Sequence, residues 1–133
     1  MAEAVSLPIQ SDADIILARQ QARALARALG FSTGDLALVA TALSELARNI
    51  VEHAQRGEII LNQTRQGTRR GLAITARDGG PGIADIGLAM QDGYSTGKSL
   101  GLGLPGTKRL MDEFEITSRP GEGTWVKVTK WVR

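Results

Sequence analysis

The chain has 133 residues, of which 42% are apolar, with a formal net charge of +2 and no cysteine. This length is typical of one domain, here residues 1–133, and the apolar fraction is ample for a core. The near-balanced charge argues against a nucleic-acid binder, since no basic run exceeds Arg69-Arg70. No stretch approaches the roughly 20 apolar residues of a membrane span, and the N-terminus lacks a signal-peptide pattern. We therefore expect a soluble, cytoplasmic protein with neither nucleic acid nor a membrane as partner.

The first half of the sequence predicts one short strand followed by two helices. Each helix start is marked by a serine three residues before an aspartate, which resembles a capping box. These pairs are Ser11 with Asp14 and Ser32 with Asp35. Apolar residues with helical spacing follow both pairs. We expect the strand at residues 5–9 and helices over about 11–29 and 32–55.

The second half predicts a second group of strands and one more helix. Alternating patterns indicate strands near 58–65 and 72–77, with Leu72, Ile74 and Ala76 on one face of the second. A helix over 104–111 follows later in the chain. The last two strands are then expected near 114–119 and 124–131, joined by the turn Pro120-Gly121-Glu122-Gly123, a hairpin signal.

Residues 79–102 form the longest stretch without clear periodicity. They contain seven glycines, with a possible turn of helix at 85–90. Loops of this length in a compact domain are usually functional. We therefore expect this stretch to belong to a binding site.

Three short segments in a fixed order carry the chemical information. They are Ser44-Glu45-Leu46-Ala47-Arg48-Asn49, Asp78-Gly79-Gly80-Pro81-Gly82 and Gly101-Leu102-Gly103-Leu104-Pro105-Gly106. The first supplies a carboxylate and a carboxamide on a helix, the second an acid before a glycine turn, and the third a glycine-rich loop that opens into a helix. Each alone is weak evidence, but together they indicate a nucleotide site.

Glu45 and Asn49 are four residues apart, so they share a helix face, beside the apolar stripe rather than in it. A carboxamide oxygen can help complete the shell of a Mg²⁺ ion that phosphates and water otherwise hold. A carboxylate one turn earlier can accept a proton from a nucleophile that attacks a γ-phosphate. Taken in isolation, such a pair is more often an ordinary exposed polar pair.

Asp78 ends a predicted strand directly before the glycine turn. A carboxylate there can accept the exocyclic amino proton of adenine, which would select adenine over guanine. The hydroxyl of Thr124 can support this contact from a neighbouring strand. Asp-Gly is also a common way to end a strand, and Thr124 is equally an ordinary strand residue.

The third segment also satisfies the pattern G-x-G-x-x-G through Gly101, Gly103 and Gly106. The context does not fit a dinucleotide-binding fold, because an irregular loop precedes the motif. A Walker A motif is excluded as well, because Gly106 and Lys108 are not adjacent. Backbone N–H groups at such turns and at helix N-termini still bind phosphates. Lys98, just before the segment, can add charge over a triphosphate or be a solvated loop lysine.

These segments, with Asp92-Gly93-Tyr94-Ser95-Thr96 and 108–114, resemble the histidine-kinase-like ATPase superfamily, whose Bergerat fold is shared by gyrase, Hsp90, histidine kinases and MutL. Within it, the chain is most similar to the small serine/threonine kinases of bacterial partner switching. The resemblance implies an α+β two-layer sandwich with a mixed, mostly antiparallel sheet covered on one face by helices.

The resemblance also implies ATP and Mg²⁺ as cofactors and a role for each site residue. Glu45 would be the catalytic base, Asn49 the Mg²⁺ ligand and Asp78 the residue that reads adenine, with an ATP lid over about 84–100. The remaining candidate nucleotide contacts are Gly80, Gly82, Lys98, Gly101, Leu102, Gly103 and Thr124. Leu102 departs from the small residue expected at the middle of the phosphate loop.

The resemblance implies two partners. One is a STAS-domain protein of the stressosome type, whose serine or threonine is the substrate, and the other is a PP2C-type phosphatase or another output protein. One alternative is an anti-sigma factor of the same fold, which binds a sigma factor and phosphorylates its antagonist. A detached histidine-kinase catalytic domain is another, although Glu45 one turn before Asn49 favours a hydroxyl acceptor. A gyrase-like motor fits least, because 133 residues leave no room for a transducer domain beside the ATP-binding domain.

Overall fold

The fold was analysed in a computed structural model, which describes residues 4–82, 90 and 103–133. Five strands and three helices lie in this part of the chain. They are β1 (Val5–Ile9), α1 (Asp12–Leu29), α2 (Thr33–Ala54), β2 (Gly57–Gln66), β3 (Arg69–Asp78), α3 (Gly103–Leu110), β4 (Glu113–Arg119) and β5 (Gly123–Trp131). The three helices and five strands expected from the sequence are present, with ends shifted by a few residues at most, while the possible turn of helix at 85–90 falls outside the described residues apart from Met90.

The five strands form one sheet in the order β1-β2-β3-β5-β4. All four pairings between the described strands are antiparallel, whereas the resemblance implied a mixed sheet. Strands β3 and β4 run in the same direction with β5 between them, so the chain must cross over before it enters β4. Helix α3 lies within that crossover.

The core lies between one face of the sheet and the helices. The large apolar side chains of the strands lie mainly on the face that the helices cover, while the middle of β3 and the end of β5 are buried on both faces. The strand members of the core include Ile9, Ile59, Leu61, Leu72, Ile74, Ala76, Val126 and Val128. Helix α2 contributes a continuous apolar stripe that contains Val39, Leu43, Leu46 and Ile50. Ile50 and Ala54 of α2 lie against Gly57 and Gly80, so the start of β2 and the end of β3 lie beside the C-terminal part of α2.

Local signals in the sequence account for the helix boundaries. The Ser32 hydroxyl accepts from the backbone N–H of Asp35 at 3.1 Å, and Ser11 accepts from Asp14 at 3.4 Å. Helix α1 ends at Gly30, which adopts φ = 97° and lets the chain leave the helix. The two predicted capping pairs are confirmed.

Candidate nucleotide site

Glu45 is buried in α2 with only 5% of its surface exposed. The sequence had suggested a position beside the apolar stripe, so its depth is a correction. Two donors explain how a carboxylate lies there, since burial of a charge requires partners. Arg48 Nη1 donates to Oε1 at 2.8 Å, and the backbone N–H of Gly103 donates to Oε2 at 3.4 Å. Glu45 therefore joins α2 to the start of α3.

The N-terminus of α3 is held in place by its own side chains as well as by Glu45. The Thr107 hydroxyl donates to the carbonyl of Gly103 at 2.8 Å, and Thr107 is fully buried. A helix N-terminus presents unpaired N–H groups and a partial positive charge. In this structure a carboxylate lies against that charge, which is the arrangement an anion would adopt.

Asn49 lies one turn beyond Glu45 in α2 and is half-buried. Within the described part of the chain, no hydrogen-bond partner holds its carboxamide. The side chain is thus available to a ligand at the C-terminal half of α2, next to the carboxylate.

Asp78 is the last residue of β3, the central strand of the sheet. It has the same strand parity as the buried Ile74 and Ala76, so its side chain points towards the helical layer. Its Oδ1 accepts from the backbone N–H of Gly80 at 2.9 Å, which closes the turn after the strand. Asp78 is paired on one side with Gly57 and on the other with Thr124.

Thr124 lies directly across from Asp78 on the same face of the sheet, as the sequence predicted. The hydroxyls of Thr124 and Ser118 are 2.8 Å apart, so Thr124 is oriented from β4. The threonine therefore lies where it can share a ligand with Asp78.

The glycine turn after Asp78 is held by the backbone around it. Gly82 adopts φ = 77°, and a Cβ at this position would overlap the carbonyl oxygen of Arg119. Pro81 accepts from the backbone N–H of Gly121 at 2.8 Å. Gly80 lies equally close to the end of α2, where Ala54 occupies the space of a Cβ. Packing alone thus explains glycine at 80 and 82.

Two further glycines contribute to this end of the site, and the sequence analysis did not identify them. Gly57 and Gly123 begin β2 and β5 on either side of Asp78. Gly123 adopts φ = 89°, and a Cβ there would overlap the backbone of Asp78. A glycine at the start of a strand beside a candidate site residue was the available signal.

A family model described as the histidine kinase-like ATPase domain matches residues 10–130. The chain belongs to this family. It is 51% identical over 125 residues to the serine/threonine-protein kinase RsbT of Bacillus subtilis (strain 168), covering 94% of each chain. It is also 33% identical over 119 residues to the anti-sigma F factor of Caldanaerobacter subterraneus subsp. tengcongensis, covering 86% of this chain and 83% of that one.

Solved structures support the same fold. The RsbU and RsbW domains of a Mycobacterium tuberculosis protein match with a TM-score of 0.67 at 18% identity, covering 97% of this chain. This chain spans only 32% of that longer chain. The mycobacterial sensor histidine kinase MprB matches with a TM-score of 0.55 at 15% identity over 100% of this chain and 99% of that one. At these identities the likeness establishes the histidine kinase-like ATPase fold alone, which confirms the predicted fold class.

Seven of the predicted site residues of this ATPase domain lie in the described part of the chain. Glu45, Asn49 and Gly103 lie where α2 meets α3. Asp78 ends β3, Gly80 and Gly82 follow it, and Thr124 lies beside Asp78. Lys98, Gly101 and Leu102 lie outside the described residues, as does the expected lid over 84–100 apart from Met90.

A shallow cavity of about 630 Å³ opens next to this region but does not coincide with it. It contains Asp78 at one end and Glu58 and Arg77 at the other, without Glu45, Asn49 or Gly103. Glu58 and Arg77 have the opposite strand parity to Asp78, so they point away from the helices. We assign no nucleotide contact to this outer part of the cavity.

Glu58 lies in the outer part of this cavity between two hydrogen-bond donors. The Ser6 hydroxyl donates to its Oε2 at 2.6 Å, and the Arg77 guanidinium donates to its Oε1. These two donors, the hydroxyl first, hold the pKa of Glu58 below its usual 4.5. The outer part of the cavity is therefore lined by a small hydrogen-bonded group of Ser6, Glu58 and Arg77 on the open face of the sheet.

Among the described residues, no helix has the length and apolarity needed to cross a membrane. The same residues contain no group of three or more His, Asp or Glu side chains that would form an all-protein metal site.

Proposed function

We propose that the chain is an ATP-dependent protein serine/threonine kinase of the partner-switching type, which phosphorylates a hydroxyl on a STAS-domain protein. The observation that carries the proposal is the position of Glu45. Its carboxylate lies one turn before Asn49 and against the first N–H of α3, where phosphate groups would bind. The 51% identity to a serine/threonine-protein kinase over 94% of both chains supports the reaction class.

The two ends of the site would divide the nucleotide between them. Asp78, with Thr124 beside it, would accept the amino proton of adenine where β3 ends and β5 begins. The N-terminus of α3 at Gly103 would bind phosphate oxygens, together with the predicted contacts of Lys98, Gly101 and Leu102. This assignment follows the chemistry of the donors and acceptors that the fold brings together.

The residues present fit Mg²⁺ as a cofactor. Asn49 has a half-buried carboxamide that no described residue engages, and Mg²⁺ is usually held by one or two protein oxygens together with phosphates and water. When bound, the ion supplies neutralisation of the phosphate charge. Asn49 is the protein ligand that we propose for it.

Glu45 would act as the general base. The serine or threonine hydroxyl attacks the γ-phosphorus while Glu45 accepts the hydroxyl proton, a role that requires a carboxylate close to the phosphate site. The hydrogen bond from the Gly103 N–H holds the carboxylate at the start of α3 in this structure. This N–H would pass to a phosphate oxygen when nucleotide binds, which would leave Oε2 available to the substrate proton.

The partners follow from the partner-switching type. One binding partner would be a STAS-domain substrate of the stressosome kind. The other would be a PP2C-type phosphatase or another output protein, which the kinase would activate once it is freed from its substrate. The similarity to RsbT and to anti-sigma factors supports a protein that exchanges partners in this way.

A second candidate is an anti-sigma factor that holds a sigma factor and phosphorylates its antagonist. The relatives that favour it are the anti-sigma F factors, at 33% identity over 86% of this chain. Pull-down with purified sigma factors and STAS proteins separates the two functions. Retention of a sigma factor by the Mg-ATP-loaded protein would favour the anti-sigma factor.

One assay tests the kinase proposal directly. The protein is incubated with labelled ATP, Mg²⁺ and individual STAS-domain proteins, and the labelled residue is mapped by mass spectrometry. Transfer to one serine or threonine is expected. Hydrolysis of ATP with no transfer to any STAS protein, or labelling of a histidine, would contradict the proposal.

A further inference from the structure

Arg48 is the side chain that controls the orientation of Glu45 in α2. It is three residues further along the helix, and its Nη1 donates to Oε1 of Glu45 at 2.8 Å. The carboxylate side chain is 7% exposed, while the guanidinium side chain is 42% exposed. The guanidinium thus reaches from the surface to a buried carboxylate and supplies the charged donor that the carboxylate would otherwise find in water.

The two oxygens of Glu45 are held differently. Oε1 has a charge-assisted hydrogen bond of normal length to Arg48, which belongs to the same helix. Oε2 has a longer contact of 3.4 Å to the Gly103 N–H, which belongs to another helix. A phosphate oxygen at the start of α3 would compete for that N–H but not for Arg48. Nucleotide binding therefore frees Oε2 and leaves Oε1 in place.

We propose that Arg48 is a positioning residue for phosphoryl transfer, which holds Oε1 so that Oε2 is the atom that accepts the substrate proton. The inference rests on the proposed kinase function and refines it. As the hydroxyl oxygen bonds to the γ-phosphorus, the bond from that phosphorus to the bridging oxygen of ADP breaks. The hydroxyl proton passes to Oε2 and leaves to solvent after the product departs.

An ordinary exposed pair at this spacing would contribute little, because surface ion pairs are worth about 0–1 kcal/mol. The Glu45 carboxylate is different because it is buried, so loss of its partner leaves a buried charge with one weak donor. The expected consequence is a carboxylate that turns or takes up water, at a cost to transfer rather than to nucleotide binding. Among the described residues, the Arg48 guanidinium has a hydrogen bond to Glu45 and none to Asp78 or Asn49, so its loss should act on the base rather than on the proposed nucleotide contacts.

The test compares Arg48→Ala with Glu45→Ala and with the double variant. Single-turnover transfer from Mg-ATP to the STAS substrate is measured together with ATP affinity by calorimetry. Arg48→Ala should lower the transfer rate about 10-fold to 100-fold, less than the roughly 10²–10⁴-fold loss of a general base. ATP affinity should change less than about 2-fold, since the residue holds the base and not the nucleotide.

The double variant distinguishes positioning from a structural role. If Arg48 acts only through Glu45, Arg48→Ala should have almost no further effect once Glu45 is alanine. Equal losses in both backgrounds, or an unchanged rate in Arg48→Ala, would overturn the proposal. Arg65→Ala is the matched control. Arg65 is an exposed arginine near the end of β2, far from Gly57, which pairs with Asp78 at the start of that strand.

Stability is checked by thermal unfolding of each variant. If Arg48→Ala does not fold, Arg48→Lys carries the test, since lysine keeps the charge without the planar donor fork. Its transfer rate should fall while ATP affinity stays at the wild-type value, and a wild-type rate would overturn the proposal. Absence of transfer by the wild-type protein would instead reject the kinase function itself, and the positioning role with it.

Discussion

The two ends of the candidate nucleotide site are constructed in different ways. At the end proposed for adenine, Asp78 lies between two paired strands, and the neighbouring backbone leaves no room for a Cβ at Gly123. At the end proposed for phosphate, α2 and α3 pack together, and the Gly103 N–H at the start of α3 donates to Glu45 of α2 at 3.4 Å. The first end is fixed by backbone pairing and the second by contacts that a ligand can replace.

This difference suits the two parts of a nucleotide. The base is the same before and after the reaction, so a rigid acceptor for its amino group costs nothing in turnover. The phosphates change during the reaction, and a kinase must exchange contacts to them. An exchangeable carboxylate at the start of α3 meets that requirement, because the same N–H can serve Glu45 before binding and phosphate afterwards.

The largest expected effect concerns the phosphate end. Glu45→Ala should bind Mg-ATP with near wild-type affinity yet transfer phosphate about 10²–10⁴-fold more slowly, as expected for loss of a general base. Asn49→Ala should lose Mg²⁺-dependent nucleotide binding as well. Calorimetry with and without Mg²⁺, beside a transfer assay, checks both.

The comparison would fail at this end if Glu45→Ala transferred phosphate to a verified substrate at the wild-type rate. Equal behaviour of the two variants would also contradict a division of roles between base and metal ligand.

The next effect concerns the adenine end and is on stability. Gly123→Ala would place a side chain at φ = 89° and against the backbone of Asp78. We expect a positive-φ penalty of about 1–2 kcal/mol and a further overlap cost of about 1–3 kcal/mol. Chemical denaturation measures the loss in free energy of unfolding.

Gly121→Ala is the matched control for that change. Gly121 has φ = 79° in the same turn, but nothing lies within 4 Å of the Cβ it lacks. It should show the positive-φ penalty alone. If both variants lose the same stability, close approach to Asp78 does not hold this end, and the contrast between the two ends weakens.

A smaller effect is expected from Asp78→Asn. Asparagine retains an oxygen for the Gly80 N–H, so the turn should form, but the charged acceptor for adenine is lost. A hydrogen bond to a charged group is worth roughly 1.5–3 kcal/mol, which sets the expected loss of ATP affinity. The wild type should bind GTP much more weakly than ATP. Equal affinities for the two nucleotides by calorimetry would remove Asp78 from the base site.

Much of the fold was predictable because local signals and periodicity agreed. The serine caps before α1 and α2, Gly30 after α1 and the alternation in β3 each mark an element that the structure contains. The strand order was not available from spacing, because it depends on which edges meet in space. All pairings are antiparallel because β5 lies between β3 and β4, a position that the sequence does not reveal.

The site was predictable as a set of residues but not as a set of contacts. Helical spacing placed Glu45 and Asn49 on one face, yet it could not show that Glu45 is buried, since burial depends on the approach of α3. The neighbourhood of Asp78 and Thr124 depended on register between strands distant in sequence. The roles of these residues stay predictions until the variants are measured.

The smallest expected effect tests whether a third region belongs to the site. Glu58 points to the open face of the sheet, where Ser6 and Arg77 lower its pKa below 4.5. A lowered pKa in the folded state means that the pair adds stability above the unfolded value and loses it as pH falls through the folded value. Glu58→Gln should therefore be less stable than the wild type at pH 7, with a gap that closes below about pH 4.5.

That gap should stay below about 1 kcal/mol, because Glu58 and Arg77 are partly exposed and screened by solvent. It should also shrink when salt is added. Urea unfolding at pH 7 and pH 3, with and without added salt, measures both changes. A stability gap that widens on acidification would contradict the assigned cause. Mg-ATP affinity should be the same in both proteins, because Glu58 points away from the helical face that carries Asp78. A loss of affinity would extend the nucleotide site across the sheet edge into the outer cavity, and the site would then have three regions instead of two.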